Sequence, residues 1–267
     1  MVHKIENINF KTVGKEWDVY FDMALTMLKE IMDNNEKGKS TVMIVPVGPT
    51  DQYPILARLI NQLKVSLKNV WFFNMDEYLI APDKELDRND KMSFHKRMND
   101  EFYSKIDKDL IMPEKQRLFP EVGKEKEYDK LIEELGGVDL CLGGLGINGH
   151  IAFNEPPEEF VSVDEFKNYG TRVLPISRET KTINAYGYQR GDLLGMPEYC
   201  ITIGMKQILE SRKIYIALNR DWQNGIVKHV LYDEPKAAIP ASLLKLAKNV
   251  EFCTSESIAE GLFDIKR

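Results

Sequence analysis

Short, continuously apolar runs alternate along the chain with longer segments in which apolar residues recur every three or four positions. The short runs are rich in β-branched and aromatic residues, and their lack of polar alternation indicates strands covered on both faces. They are Thr41–Val47, Asn69–Phe73, Val138–Gly143, Arg172–Ile176, Lys213–Leu218 and Asn249–Cys253. The longer segments have the period of amphipathic helices. They are Glu16–Met32, Ile55–Leu67, Phe94–Ile106, Glu125–Leu135, Thr202–Leu209 and Gln223–Leu231.

This alternation predicts an α/β fold with a largely parallel sheet and right-handed crossovers. No internal repeat, low-complexity tract or interdomain linker interrupts the pattern, so we expect residues 1–267 to form a single domain. In open α/β sheets the ligand binds outside the carboxyl ends of the strands. The residues that follow the predicted strands are therefore the first place to look for chemistry.

The charge balance excludes some classes of partner. Lys and Arg number 36 and Asp and Glu 42, which gives a net charge of −6. Such a surface repels nucleic acid and anionic membranes. No apolar run approaches the roughly 20 residues that span a bilayer, and the first residues, MVHKIENINF, lack the apolar core of a signal peptide. We expect a soluble cytoplasmic protein.

Cysteine and histidine are too few and too scattered to indicate a metal site or a disulfide framework. The three cysteines are odd in number and lie far apart, and the four histidines form no HxxxH or HExxH pattern. We therefore predict no metal ion and no disulfide.

The first unusual strand end is the segment VPVGPTD, residues 45–51, which precedes an apolar helix. Gly48 permits a tight turn, and Thr50 or Asp51 can cap the helix. A helix N-terminus with free N–H groups and a hydroxyl is suited to phosphate. The alternative is an ordinary capped turn, and no Gly-Lys-Ser/Thr follows that would make it a Walker loop.

The second strand end places two acids, Asp76 and Glu77, just after the buried run NVWFF. A carboxylate beside a buried strand is partly desolvated, which raises its basicity toward that of a general base. The alternative is an ordinary turn or helix-cap aspartate.

The third strand end contains a GxGxxG pattern, Gly144 to Gly149. A dinucleotide fingerprint needs a full helix after these glycines, and Pro156 and Pro157 end any helix within two turns. The pattern is therefore better explained as a turn than as a site for NAD or FAD.

The same segment presents His150 and Glu155 five residues apart. In a short turn the two can approach each other as an imidazole–carboxylate pair for acid/base work. The alternative is a histidine that satisfies a buried backbone group. Together with Asp76 and the phosphate-suited loop, the pair predicts acid/base chemistry on a small phosphorylated metabolite, with no metal or organic cofactor.

At this point the motifs resemble those of the glucosamine-6-phosphate deaminases, which have a Rossmann-like fold and are related to the 6-phosphogluconolactonases. FNMDEY and LGGLGINGHIAFNEP carry most of the resemblance, and AFNEP favours the deaminases over the lactonases. The matching segments are Pro46–Thr50, Phe73–Tyr78, Leu142–Pro156, Thr171–Val173 and Thr202–Gly204. The resemblance implies a three-layer fold over nearly the whole chain.

The resemblance also implies catalytic roles. Asp76 would be the base that moves a proton between C2 and C1 of the opened sugar, and His150, assisted by Glu155, would open the pyranose ring. Loss of ammonia from an imine-level intermediate would then give fructose 6-phosphate. The partner implied is a small phosphorylated amino sugar, and the oligomeric state, a homo-oligomer included, stays open.

Substrate contacts are expected by the same resemblance from Gly48, Thr50, Glu77, Asn148 and Arg172, the last as a phosphate ligand. The chain departs from the family at two positions.

Asn148 stands where the family has an Asp, and Trp222 stands where it has a phosphate-binding Lys. Arg220 is the candidate to replace that lysine; its alternative role is that of a solvated surface residue. Residues 157–170 also depart from the family, so no allosteric site is carried over.

Two alternatives to the deaminase remain open at this stage. A sugar-phosphate lactonase would use the histidine as the general base for water. A sugar-phosphate sensor would keep the fold and lack activity, and the two departures are its only support. Ammonia release separates the deaminase from both.

Overall fold

The computed structural model describes residues 2–5, 7–48 and 50–263. Met1 and Glu6 of the amino-terminal segment and Pro49 of the predicted phosphate loop lie outside the described residues. The strands are β1 Val2–Ile5, β2 Ile8–Thr12, β3 Thr41–Val45, β4 Val70–Asn74, β5 Asp76–Ala81, β6 Lys84–Glu85, β7 Arg117–Leu118, β8 Leu140–Gly143, β9 Arg172–Pro175, β10 Tyr199–Thr202, β11 Lys213–Leu218 and β12 Val250–Thr254.

The described helices lie between these strands along the chain. The α-helices are α1 Glu16–Glu36, α2 Gln52–Leu63, α3 Phe94–Glu101, α4 Glu125–Glu134, α5 Val163–Phe166, α6 Arg178–Tyr188, α7 Met205–Leu209, α8 Gln223–Tyr232 and α9 Glu256–Ala259. Short 3₁₀ helices cover Tyr103–Lys105, Glu114–Gln116 and Pro240–Leu246. Among the described residues, no helix is both long and apolar enough to cross a membrane.

The main sheet has the strand order β1-β2-β12-β11-β8-β3-β4-β7. Every neighbouring pair from β2 to β7 is parallel, and β1 pairs antiparallel with β2 at the edge. This confirms the predicted α/β fold with a largely parallel sheet.

Two apolar cores lie on opposite faces of this sheet. Met43 and Val45 of β3 belong to the core beneath α1 and α2, whereas Val42 and Ile44 belong to the core beneath α4, α7 and α8. Successive side chains of a strand point to opposite faces, so β3 is buried on both sides. Helix, sheet and helix give the three layers that the resemblance implies.

A second sheet, antiparallel and ordered β6-β5-β10-β9, was absent from the sequence prediction. The chain passes from β4 of the main sheet to β5 of this sheet through one residue, Met75. Its N–H donates to Val45 O over 3.0 Å, and its carbonyl accepts from Ile203 N over 2.7 Å. Asp76 therefore lies at the seam between the two sheets.

Several predicted boundaries were wrong. The helix predicted over residues 202–209 begins only at Met205, because Thr202 ends β10 and Gly204 is extended, with φ −82° and ψ 165°. The helix predicted to start at Ile55 starts at Gln52 and ends before Lys64, which has a left-handed φ of 55°. Helix α6 was not predicted.

Candidate active site

A cleft of about 640 Å³ opens at the carboxyl ends of β3, β8 and β11. The segments after these strands line it, and so do Asp76, His150 and one side of α6. Its place agrees with the rule for ligand sites in parallel sheets. The cleft brings together the catalytic candidates from two of the three strand ends.

Asp76 enters the cleft from the first position of β5, where it pairs with Thr202 of β10. The side chain is only 6% exposed. Burial, and secondarily the negative charge of Glu77, raise the pKa of Asp76 well above the usual value of 3.8. A carboxylate with this environment is a stronger base than a solvated one, which suits removal of a proton from carbon.

Glu77 occupies the opposite face of β5 and is absent from the residues that line the cleft. Its carboxylate accepts hydrogen bonds from three N–H groups, those of Tyr78, Phe94 and His95, at 2.9, 2.9 and 3.1 Å. The hydroxyl of Ser93 donates to it as well, at 2.9 Å.

These donors surround the N-terminus of α3, where a negative charge is stabilised. Burial raises the pKa of Glu77, and the hydrogen bonds partly offset that rise. Strand alternation turns the Glu77 side chain away from the cleft, and its oxygens bond the start of α3, so the substrate contact predicted for Glu77 stays a prediction without a visible place in the cleft.

Two glycines shape the loop that carries His150. A Cβ atom on Gly146 would lie 2.0 Å from Cε1 of the His150 ring, so only glycine leaves room for the imidazole. Gly149 has a left-handed φ of 85°, and a Cβ there would lie 2.8 Å from Ile239. All residues from 144 to 158 are described, and they form turns and an isolated bridge rather than a helix. Gly146 leaves room for the His150 ring and Gly149 permits the turn before it, in keeping with the glycine-rich turn predicted from the sequence.

His150, Asn148 and Glu155 form one hydrogen-bonded group. Nδ1 of His150 lies 2.8 Å from Asn148 Oδ1 and 3.6 Å from Glu155 Oε2. Asn148 Nδ2 donates to Glu155 Oε2 over 2.6 Å. The amide therefore bridges the imidazole and the carboxylate, which is a closer arrangement than the sequence spacing alone could specify.

The carboxyl of Glu155 is 7% exposed. Burial by itself raises its pKa, but the hydrogen bond and charge of His150, with further hydrogen bonds from Asn148 and Thr180, lower the pKa to about 2. Glu155 is consequently a permanent anion near neutral pH. It can stabilise a positive charge on the imidazole but cannot itself deliver a proton.

Two hydroxyls from the start of α6, those of Ser177 and Thr180, complete this group, and neither was predicted from the sequence. Thr180 Oγ1 lies 3.0 Å from His150 Nδ1, and Ser177 Oγ accepts from Asn148 Nδ2 over 3.1 Å. Ser177 caps α6 through its side chain. A serine followed three residues later by a polar side chain is a helix-start signal, but it carries no information about a partner 30 residues earlier.

The far end of the cleft contains Gly48, Arg220 and Trp222, all of which line it. Arg220 is half exposed, and its Nη1 lies 3.0 Å from Oε1 of Glu16. Thr50 is not among the lining residues; its carbonyl accepts the N–H of Tyr53 at the start of α2. Of these three predicted substrate contacts, Gly48 and Arg220 line the cleft and Thr50 does not.

Arg172 is not among the residues that line the cleft, and its role at the phosphate stays a prediction. Its Nη1 donates to Asn154 Oδ1 over 2.7 Å, and its guanidinium stacks 4.7 Å from the ring centre of Tyr169. Burial lowers its pKa. Because β9 pairs with β10, Arg172 faces this packed layer and braces the turn at Asn154.

In the part of the chain that the structure describes, no group of three or more His, Cys, Asp or Glu side chains is placed to hold a metal ion. The three cysteines are buried and free.

Comparison with known sequences places the chain in a family, although no family model matches it. The glucosamine-6-phosphate deaminase of Bacillus pumilus is 34% identical over 209 residues, which cover 76% of this chain and 79% of that protein. That of Caenorhabditis elegans is 32% identical over 202 residues, covering 73% and 70%.

The chain belongs to the glucosamine-6-phosphate deaminase family.

Solved structures agree on the fold. A monomeric glucosamine-6-phosphate deaminase superposes with a TM-score of 0.80 at 24% identity, covering 94% of this chain and 98% of that one. The 6-phosphogluconolactonase of Trypanosoma cruzi superposes with a TM-score of 0.71 at 16% identity, covering 98% and 99%. The deaminase family and the lactonases therefore share this architecture, and the site has to distinguish them.

Proposed function

We propose that this protein is an amino-sugar-phosphate deaminase and isomerase. It converts glucosamine 6-phosphate, or an epimer, and water into a ketose 6-phosphate and ammonia. The observation that carries the proposal is a buried carboxylate, Asp76, in the same cleft as the His150 group, with burial raising its pKa. The named relatives are consistent with this reaction.

Ring opening is the task we assign to His150. Its Nδ1 is engaged by Asn148 and Thr180, so Nε2 is the nitrogen available to a ligand. Nε2 takes the proton of the anomeric hydroxyl and returns a proton to the ring oxygen, which breaks the C1–O5 bond. The fixed charge of Glu155, 3.6 Å from Nδ1, favours the transient imidazolium.

Proton transfer between carbons is the task we assign to Asp76. The carboxylate takes the proton from C2 of the open aldehyde and delivers a proton to C1, while one proton passes from the amine nitrogen to O1. This leaves a hydroxyl group on C1 and an imine at C2. Water adds to this imine and ammonia leaves, so the atoms balance. A raised pKa suits both halves of the transfer, because the group must accept a proton and then release it.

Phosphate recognition in this proposal comes from the Gly48 turn and from Arg220. A guanidinium forms paired contacts with phosphate. Among the described lining residues Arg220 is the only Lys or Arg. The substrate phosphate would compete with Glu16 for it.

The lactonase alternative needs only one base for water, and it gives no role to a second, buried carboxylate. We therefore rank it below the deaminase. We also propose that the chain acts as one domain in the cytoplasm, where small phosphorylated sugars are metabolised.

The decisive experiment compares glucosamine 6-phosphate, galactosamine 6-phosphate and 6-phosphogluconolactone as substrates of the purified protein. Ammonia and ketose release are measured for the amino sugars and acid release for the lactone. The proposal expects turnover of an amino sugar. Turnover of the lactone alone would favour the lactonase, and ligand-dependent thermal stabilisation without turnover of any of the three would favour a sensor.

A further inference from the structure

The hydrogen bonds around His150 can be assigned one by one, starting from Asn148. Its Nδ2 donates to Glu155 Oε2 over 2.6 Å and to Ser177 Oγ over 3.1 Å. A carboxylate only accepts, so the amide nitrogen must face Glu155 and the amide oxygen must face His150. The orientation of the Asn148 amide is thereby fixed by chemistry.

The next hydrogen to assign is that of the Ser177 hydroxyl. Its Oγ accepts from Asn148 and from the N–H of Thr180, the latter over 3.2 Å. With both lone pairs used, its own hydrogen goes to Thr180 Oγ1, 3.0 Å away.

Asn148 and Thr180 determine the last one. The amide oxygen of Asn148 lies 2.8 Å from His150 Nδ1 and can only accept, so Nδ1 must carry a hydrogen. Thr180 Oγ1 accepts from Ser177 over 3.0 Å and lies 3.0 Å from the same nitrogen. It therefore faces the Nδ1 hydrogen as a second acceptor.

We infer that Thr180 is a positioning residue which, together with Asn148, holds neutral His150 as the tautomer with hydrogen on Nδ1 and leaves the Nε2 lone pair to the ligand. Thr180 is 1% exposed, so its hydroxyl, and not bulk water, is the group that faces His150. Its hydrogen bond reaches from the first turn of α6 to a histidine 30 residues earlier. Sequence spacing gives no indication of this contact.

The catalytic consequence rests on the proposed function. If His150 opens the ring through Nε2, the wrong tautomer presents a hydrogen where a lone pair is needed. Loss of the Thr180 hydroxyl should then slow turnover without weakening substrate binding, because Thr180 acts through the imidazole.

The kinetic test uses Thr180→Val, which keeps the shape and removes the hydroxyl, and Thr180→Ser, which keeps the hydroxyl. Thr182→Val is the matched control, because Thr182 is an exposed residue of the same helix that bonds only its own backbone. We expect kcat of Thr180→Val to fall roughly five- to tenfold with KM nearly unchanged, a loss typical of one hydrogen bond. Thr180→Ser should recover most of it.

A second measurement needs neither activity nor a variant at position 180. Nitrogen-15 spectra of the imidazole groups, with the His150 signal identified by its absence in His150→Gln, report the tautomer of the unmodified protein. We expect a protonated Nδ1 and an unprotonated Nε2 at a pH where the ring is neutral. A protonated Nε2 would overturn the inference even if no substrate were turned over.

Any of three kinetic results would overturn the inference about Thr180. The kcat of Thr180→Val could match that of the unmodified enzyme, the kcat of Thr180→Ser could fall as far as that of Thr180→Val, or the kcat of Thr182→Val could fall as far as either. A protein without any deaminase activity, but with the expected tautomer, would refute the proposed function and leave the assigned tautomer of His150 supported.

Discussion

Asn148 donates its side-chain amide to Glu155 over 2.6 Å. This contact explains how the chain accommodates an amide where its relatives are expected to have a carboxylate. The neutral amide bridges the two groups: its oxygen faces the imidazole, and its nitrogen donates to the carboxylate of Glu155. A carboxylate at the same position would face Glu155 oxygen to oxygen.

The first prediction concerns Asn148→Asp. Two carboxylates at this distance cannot both ionise freely, so they should share a proton and titrate as a pair with one raised pKa. We expect the acid limb of the rate profile to move to higher pH and the melting temperature at neutral pH to fall. A pH–rate profile and thermal unfolding measure both effects.

Asn168→Asp is the control for this change, because it adds the same charge at an exposed residue whose amide bonds only backbone. If the acid limb stays in place in both variants, position 148 has no electrostatic part in the reaction.

The second prediction concerns the stability cost of the base. The folded state holds the proton of Asp76 to a higher pH than the unfolded chain, whose usual pKa is 3.8. As pH rises above 3.8 the unfolded state releases a proton that the folded state keeps, so the free energy of unfolding decreases. Asp76→Asn should therefore raise the melting temperature at neutral pH, and the gain should vanish in acid.

Thermal unfolding from pH 3 to 8 tests this, with Asp83→Asn at an exposed site as the matched control. A loss of stability in Asp76→Asn at every pH would show that the Asp76 carboxylate is not destabilising.

The third prediction concerns the negative charge of Glu77, next to the proposed base Asp76. Glu77→Gln removes the negative charge that helps to raise the pKa of Asp76, so the acid limb of kcat/KM should move to lower pH. Ser93→Ala removes one hydrogen bond to Glu77 and keeps the charge, so its limb should stay close to that of the unmodified enzyme. Equal profiles for Glu77→Gln and the unmodified enzyme would show that the charge of Glu77 does not reach Asp76.

The fourth prediction separates the two arginines. Arg220→Ala should raise KM for the phosphorylated amino sugar about 10- to 100-fold, the range of a charge-assisted contact, and leave the unphosphorylated sugar unaffected. Arg172→Ala should instead lower the melting temperature, because it loses the bond to Asn154 and the stacking on Tyr169. A selective rise of KM in Arg172→Ala would instead support the predicted role of Arg172 at the phosphate.

The five strands β12, β11, β8, β3 and β4 of the main sheet could be predicted from sequence because they are largely buried on both faces, whereas β1, β2 and β7 were not predicted. Lys213–Leu218 was predicted to the residue, and the strand at Val70–Asn74 to within one residue at each end. The second sheet could not be predicted as readily. Its strand β5 begins with two acids, which are more typical of a turn or helix cap than of a strand, although the first four residues of β5 are all buried.

The site was predictable as a set of residues and less so as a geometry. Asp76, His150 and Glu155 come together as the motifs indicated. Helix α6, which supplies Thr180, was missed because it is polar and buries little. The direction of Arg172 depends on which strands β9 and β10 pair with, and a local motif does not contain that information.

The most direct test of the central claim measures ammonia and ketose 6-phosphate together, from glucosamine 6-phosphate, with the unmodified enzyme and with Asp76→Asn. The account predicts equal amounts of the two products from the unmodified enzyme and a fall of at least ~10²-fold in both from the variant, in line with loss of a general base. Near-normal turnover by Asp76→Asn, or ketose formed without ammonia, would contradict it.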